Sequence, residues 1–218
     1  MRVMHVDASP KRVGSTSKLL SAYFIAQLQK GMTDLEVDYI DTSIQTPPHL
    51  THDFIEAMYT PATLRSRAMQ ATLSYSDNLC ARLLMSDMLV FAMPMYNFSM
   101  PSSFKALIDN LVRPDLTFCI NKDGSTSGKL THQRMLFITT RGADFRVGIS
   151  PWSNMDALTP ALKSSFSFMG GDAPIFVDVQ PLDNHNPIER HEVLAQAYLK
   201  LDAIALQWIA NSRYVLPA

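Results

Sequence analysis

The chain has 218 residues, of which 47% are apolar and 18% charged, and this composition excludes an intrinsically disordered protein. Nineteen basic and twenty acidic side chains give a formal net charge of −1, so no overall field favours nucleic acid or an anionic membrane surface as a partner. The longest apolar run, residues 88–95, is far shorter than the ~20 residues that a membrane span needs.

Three features predict a cytoplasmic protein without a bound metal. Asp7 interrupts the apolar sequence that an export signal would need. Cys80 and Cys119 have neither CxxC nor zinc-ligand spacing, and isolated cysteines without an export signal are typical of reduced thiols. His49 and His52 have no further ligand at metal spacing. We therefore expect no metal, no membrane and no nucleic-acid partner.

Five short apolar runs predict strands, and they lie at residues 3–6, 35–40, 88–93, 135–140 and 174–179. The first, third and fourth are almost continuously apolar, which is typical of parallel strands covered on both faces. Apolar residues at helical spacing follow at 19–28, 104–111 and 194–209. This alternation predicts an α/β domain with a doubly wound parallel sheet.

Two stretches are longer than a single crossover between strands requires. Residues 42–84 are expected to contain an excursion rich in proline and histidine, followed by a helix over about 62–84. Residues 113–134 contain the turn signal Asp123-Gly124 between short strand-like pieces, which predicts a hairpin-like flap. No repeat or linker divides the chain, so we expect a single domain over residues 1–218.

Open α/β sheets bind ligands outside the carboxyl ends of their strands, and the first loop there is rich in hydroxyl groups. Its hydroxyl residues precede the first predicted helix and are Ser9, Ser15, Thr16 and Ser17. Hydroxyls and free N–H groups at a helix start favour phosphate, although capping alone would explain one of them. Neither G-x-G-x-x-G nor G-x-x-x-x-G-K is present, so a monophosphate such as that of FMN fits best.

The second loop follows the third predicted strand and consists of Pro94, Met95, Tyr96, Asn97 and Phe98. Its aromatic residues suit either a covered edge of the core or the neighbourhood of a planar ring. Asn97 between them favours a site, because a buried amide needs hydrogen-bond partners.

The third loop follows the fourth predicted strand and consists of Thr140, Arg141, Gly142 and Ala143. Gly142 allows the backbone to approach a ligand closely. Arg141 is expected to add positive charge beside amide groups that face a developing negative charge.

Together, these loops resemble those of the FMN-dependent NADH-azoreductases, within the flavodoxin-like NAD(P)H:quinone oxidoreductase superfamily. The resemblance rests on the hydroxyls of the first loop, MYNF at 95–98, P-x-x-x-K-x-x-I-D at 101–109, T-x-R-G at 139–142 and T-P-x-L at 159–162. It implies a flavodoxin-like five-stranded parallel sheet of order 2-1-3-4-5 with helices on both faces. It also implies FMN as the cofactor and NADH or NADPH as the electron donor.

The resemblance further assigns a place to each loop. The first loop would bind the FMN phosphate, the second would lie under the isoalloxazine, and the third would meet its pyrimidine edge. Family members are homodimers, which implies a shared substrate pocket lined here by Phe118, Ile120 and Phe166. Two residues depart from the family pattern: Ala143 replaces a glycine, and Ile120 replaces an aromatic residue of the flap.

The function implied is a ping-pong, two-electron reduction of quinones and/or azo compounds through hydride transfer at flavin N5. No side chain is assigned as catalytic, because the flavin carries the chemistry. One alternative is a flavin reductase dedicated to a single metabolite, which the altered flap favours. Another is a flavodoxin-type electron carrier, but such carriers are usually strongly acidic and this chain is nearly neutral.

Overall fold

The computed structural model describes residues 1–183 and 186–212. Its strands are β1 (Arg2–Asp7), β2 (Glu36–Asp41), β3 (Met88–Pro94), β4 (Phe118–Ile120), β5 (Thr126–Gly128), β6 (Arg134–Thr140) and β7 (Ile175–Val179). Its α-helices are α1 (Thr16–Gly31), α2 (His52–Tyr59), α3 (Arg67–Leu84), α4 (Ser102–Leu111), α5 (Leu158–Phe168) and α6 (Pro187–Ser212). Among these helices, none is long and apolar enough to cross a membrane.

The central sheet has five strands in the order β2-β1-β3-β6-β7, and every neighbouring pair is parallel. Helices α1 and α6 cover one face, with Phe24 and Trp208 in the core between them and the sheet. Helices α3, α4 and α5 cover the other face, where Phe104 and Phe166 are fully buried. The predicted order, 2-1-3-4-5 for the sheet strands, is confirmed.

The stretch between β2 and β3 contains more helix than the sequence predicts. Helix α2 is present over residues expected to form an irregular excursion, and a short 3-10 turn covers Ala62–Leu64. The predicted helix begins at Arg67 rather than near residue 62, because the Ser66 hydroxyl caps it by accepting from Met69 N at 3.2 Å. Helix α2 then packs on α3 through Phe54 and Leu73.

The predicted flap is an antiparallel hairpin in which β4 pairs with β5. The hairpin packs closely on the end of α5. The approach is so close that a Cβ at Gly128 would collide with the backbone of Met169 and Gly170. Leu130 N also donates to Met169 O at 2.8 Å. The hairpin is therefore seated against the main domain at its base.

A buried arginine joins the hairpin to the helices of the 42–84 stretch. Arg113 is 1% exposed, and its Nη1 donates to Ser76 Oγ at 2.5 Å while Nη2 lies 3.0 Å from Asp77 Oδ1. Its guanidinium lies 5.4 Å from the ring centre of Phe54 on α2. Its own carbonyl accepts from Thr117 N at 3.0 Å, so one residue links α2, α3 and the root of the hairpin.

Candidate functional site

The three loops singled out in the sequence meet at the carboxyl ends of β1, β3 and β6. They enclose a cleft of about 180 Å³ whose lining includes Ser9, Ser15, Thr16, Pro94, Met95, Tyr96, Thr140, Arg141 and Gly142. Met95 N donates to Thr140 O at 2.8 Å, which holds the second and third loops side by side. Most of the predicted cofactor residues are thus brought together in one place.

The first loop presents hydrogen-bond donors to this cleft. Ser15 is the N-cap of α1, and its hydroxyl accepts from Lys18 N. The backbone N–H groups of Thr16 and Ser17 find no acceptor within the described residues. Ser9 is buried and its hydroxyl accepts from Lys11 N at 3.3 Å. Two free amides, hydroxyls and the positive end of a helix dipole form a donor set that suits a phosphate.

Ser17 does not line the cleft, although the sequence groups it with its neighbours. Its side chain is 1% exposed, and its Oγ lies 3.3 Å from Ser15 Oγ. The hydroxyl of Ser17 therefore orients that of Ser15, while the amide of Ser17 remains available at the helix start.

A cation close to the first loop is already paired. Lys18 Nζ donates to Asp41 Oδ2 at 2.5 Å. Burial raises the pKa of Asp41, but hydrogen bonds from Lys18 and Ser43 outweigh this and hold the pKa below its usual value. The exposed side chain of Lys11, which lines the cleft, is the cation better placed to meet an anion there.

The second loop is a tight turn in a strained conformation. Tyr96 and Ser99 exchange backbone hydrogen bonds of 2.9 and 3.0 Å, and between them Asn97 and Phe98 have φ of 47° and 68°. Left-handed backbone costs about 1–2 kcal/mol for each non-glycine residue, and such strain concentrates at ligand-binding sites. The expectation of a buried Asn97 amide is wrong, because Asn97 is exposed and serves the turn, which asparagine tolerates.

The turn directs Phe98 away from the 180 Å³ cleft and towards two aromatic residues that the sequence analysis missed. Its ring is nearly parallel to that of Trp152, with centroids 6.4 Å apart, and meets Phe145 edge-on at 6.2 Å. The sequence could have indicated them, because Phe145 and Trp152 are two aromatic residues in the segment that follows Gly142. These contacts join the second loop to the segment that follows the third.

The third loop does not supply the positive charge expected of Arg141. This side chain is buried, and its Nη2 donates to Asp156 Oδ2 at 3.1 Å and to Thr159 Oγ1 at 2.6 Å. The same atom lies 3.5 Å from Asp178 Oδ1. Two carboxylates therefore lie beside the guanidinium, so Arg141 does not act as an unpaired cation at the cleft.

A side chain occupies the space beside Gly142, and the φ of Gly142 is not in the left-handed region. A Cβ at this position would collide with Oδ2 of Asp183. Ala143 does not line the cleft. It is also not among the non-glycine residues of the described chain that have a positive φ, which are Asn97, Phe98, Asp115 and Ala173. The replacement of glycine by alanine therefore causes no backbone strain.

The flap residues are placed differently from one another. Phe118 is largely buried against Phe168, with ring centroids 4.7 Å apart, whereas Ile120 is 64% exposed. Phe166 is 0% exposed and packs between Phe91 and Phe137, so it cannot line a pocket. Phe168 is 40% exposed and lies on the solvent-facing side of α5. Two positions along an α-helix differ by about 200° around its axis, so Phe168 and Phe166 lie on opposite faces.

A larger groove of about 690 Å³ lies on the other side of Arg141, between the third loop and α6. Its lining mixes carboxylates with cations, and it contains no cluster of hydroxyls and helix-start amides. We therefore place the candidate site at the smaller cleft.

The chain is similar to known proteins over most of its length. A family model described as a flavodoxin-like fold matches residues 1–204. The FMN-dependent NADH:quinone oxidoreductase 1 of Trichormus variabilis is 31% identical over 212 residues, which is 97% of this chain and 99% of the relative. The FMN-dependent NADH:quinone oxidoreductase of Azotobacter vinelandii is 32% identical, with 94% and 99% covered.

Solved structures show the same fold at lower sequence identity. The FMN-dependent NADH-azoreductase from Bacillus anthracis in complex with FMN has a TM-score of 0.84 at 20% identity, covering 95% of this chain and 99% of that one. The azoreductase AzrA has a TM-score of 0.85 at 19% identity, covering 94% and 99%. The chain therefore belongs to the flavodoxin-like family, together with its relatives named FMN-dependent NADH:quinone oxidoreductases.

Proposed function

We propose that the protein is an FMN-dependent NAD(P)H oxidoreductase that reduces quinones and/or azo compounds. The observation that carries the proposal is the convergence of a helix-start donor cluster with a strained aromatic turn at one cleft. The names of the full-length relatives support the same activity and the same cofactor.

The donors at the cleft suit the FMN phosphate. The amides of Thr16 and Ser17 and the hydroxyls of Ser9 and Ser15 would hold its oxygens, and Lys11 adds charge at the rim. Charge-assisted hydrogen bonds of this kind contribute about 1.5–3 kcal/mol each. A dinucleotide would need a glycine-rich turn that lets the backbone approach its pyrophosphate. The first loop lacks this turn, which favours a single phosphate.

When bound, FMN would supply the two-electron redox chemistry that links NAD(P)H to a quinone or azo acceptor. The protein's own task is to hold and shape the site. The hydrogen bond from Met95 N to Thr140 O holds together the two loops that would flank the isoalloxazine. Tyr96 lines the cleft with a partly exposed ring.

The proposal includes a homodimer with an active site completed by the partner. Four apolar side chains of the segment that follows the third loop are strongly exposed: Val147 by 89%, Ile149 by 67%, Trp152 by 49% and Met155 by 46%. Several exposed apolar side chains within one short segment favour a protein interface. The exposed Ile120 and Phe168 would then face a pocket shared between subunits.

The test is purification followed by anaerobic titration. We expect a yellow protein with one non-covalent FMN per subunit, reduced by NADH or NADPH and reoxidised by a quinone at the same stoichiometry. Finding FAD, or no flavin after incubation with excess FMN, would contradict the proposal. A monomer by light scattering with full activity would contradict the dimer.

A panel of acceptors separates the two classes of enzyme. Comparable turnover of several quinones and azo dyes supports the general reductase, whereas one strongly preferred substrate supports a dedicated flavin reductase. If the protein does not oxidise NADH steadily with any of these acceptors but transfers electrons to redox proteins, it is an electron carrier.

Two further expectations accompany the proposal. We propose a cytoplasmic location, which the two free cysteines support. We also propose that residues 1–218 form one domain, since a single sheet carries all three loops; residues 184–185 and 213–218 lie outside the part of the chain that the structure describes.

A further inference from the structure

One carboxylate lies at the third loop without having been marked by any sequence motif. Asp183 follows β7, and its N–H donates to Gly142 O at 3.0 Å. Leu182 N donates to both Arg141 O and Gly142 O at 3.0 Å. Three backbone hydrogen bonds therefore fix this segment against the third loop, and the missing side chain of Gly142 leaves the space that Oδ2 of Asp183 occupies.

Among the described residues, no cation forms an ion pair with this carboxylate. Asp183 lines the cleft. It is the sole carboxylate among the cleft-lining residues that the structure describes. Three cations share that lining: Lys11 belongs to the first loop, Arg141 is paired with Asp156, and the guanidinium of Arg190 donates to Leu182 O at 2.7 Å.

Arg141, the residue expected to supply positive charge here, is already paired with Asp156 and lies near Asp178. Asp183, which those backbone hydrogen bonds hold against the third loop, therefore places a negative charge at the cleft that no ion pair within the described residues neutralises. A negative charge opposes the further negative charge that a flavin gains on reduction, because like charges repel more strongly in a partly desolvated cleft than in water.

We propose that Asp183 tunes the bound flavin by weakening the binding of its reduced form relative to its oxidised form, which lowers its reduction potential. This inference rests on the proposed function, since it requires FMN in the cleft. A lower potential makes the second half-reaction, in which the acceptor takes two electrons, more favourable at the expense of the first, in which NAD(P)H gives two electrons and a proton.

The test is the two-electron midpoint potential of the FMN-loaded protein, measured by dye equilibration. In Asp183→Asn, which keeps the shape and removes the charge, we expect the ratio of reduced-FMN to oxidised-FMN affinity to rise about tenfold. This corresponds to about 30 mV for a two-electron couple. Asp183→Glu retains the charge and should stay within twofold of the wild-type ratio.

The matched control is Asp144→Asn. Asp144 directly follows the third loop in sequence and is paired with the exposed Arg146 at 2.6 Å, but it does not line the cleft, so its removal should leave the potential unchanged. An unchanged potential in Asp183→Asn, or an equal rise in Asp144→Asn, would overturn the role of Asp183 while leaving FMN binding intact. Failure of the wild-type protein to bind FMN would overturn the proposed function together with this inference, and absorbance at the flavin band separates the two cases.

Discussion

The first and third loops line the same cleft but are built by contacts of different range. At the first loop, Ser15 caps the helix that follows it, and the free amides belong to the next two residues. At the third loop, Arg141 binds side chains that lie 15 and 18 residues further along the chain. A donor cluster made by neighbours in sequence can be recognised from a motif, whereas a charge neutralised by distant partners cannot.

The largest expected effect tests whether Arg141 is a structural residue. Arg141→Met removes one partner of a buried ion pair and leaves Asp156 without a cation, which costs about 3–5 kcal/mol of folding free energy. Urea unfolding measures this loss. The control is Arg146→Met, whose exposed ion pair with Asp144 is worth about 0–1 kcal/mol. Equal stability of the two variants would mean that the buried pair is not the main role of Arg141.

The second prediction concerns the helix-start donors. Ser15→Ala removes the hydroxyl that lines the cleft, and we expect FMN affinity to fall by about 1.5–3 kcal/mol, or roughly 10- to 150-fold. Quenching of FMN fluorescence on binding measures the affinity. The control is Ser66→Ala, which removes the N-cap of α3. Like the loss of the Ser15 cap, it should lower the free energy of unfolding by about 1 kcal/mol, but it should leave FMN affinity unchanged.

The third prediction concerns the flap, which is remote from both loops in sequence. Ile120→Tyr adds an aromatic ring at an exposed position, and aromatic pairs contribute about 0.5–1.5 kcal/mol beyond their buried area. We expect flat acceptors to react roughly three- to tenfold better, with FMN affinity unchanged. Stopped-flow measurement of the two half-reactions should show a larger change in the acceptor step. Leu64→Tyr, at an equally exposed site away from the cleft, is the control, and no difference between the two variants would place the flap outside the pocket.

The smallest effect is a pH dependence at the base of the first loop. The pKa of Asp41 is lowered in the folded protein, so its pairing with Lys18 stabilises the fold above the unfolded-state pKa of about 3.9. That stability is lost as the pH falls through the lower, folded-state value. Asp41→Asn should cost about 0.2–1 kcal/mol near neutral pH, typical of a partly exposed pair. The difference from wild type in thermal unfolding should shrink towards zero below pH 3, and a constant difference would contradict the assignment.

Much of the fold follows from pattern alone. The continuously apolar runs at 88–93 and 135–140 predict the central strands, because a strand covered on both faces has no polar side to show. The position of the three loops then follows from the topology. Helix α2 was not predicted, because its eight residues pack on α3 through Phe54 and Ala57, and such a short helix owes its stability to tertiary contact rather than to its own sequence.

The errors at the site share one physical origin. Phe166 and Phe168 stand two residues apart, and no local rule decides which of them α5 turns towards the core. Asp183 escaped notice because its importance depends on contact with Gly142, 41 positions earlier in the chain. Properties that depend on which distant segments meet are settled only when the chain folds.

The buried guanidinium of Arg113 has a consequence for proteolysis. It is hydrogen-bonded to Ser76 and contacts Phe54, while its carbonyl begins the hairpin. If α2 and α3 detached, the guanidinium would lose its hydrogen bond to Ser76, its ion pair with Asp77 and its contact with Phe54. The helical pair and the hairpin should therefore open together, so that protease cleavage within residues 52–66 and within residues 121–125 shares the same dependence on denaturant.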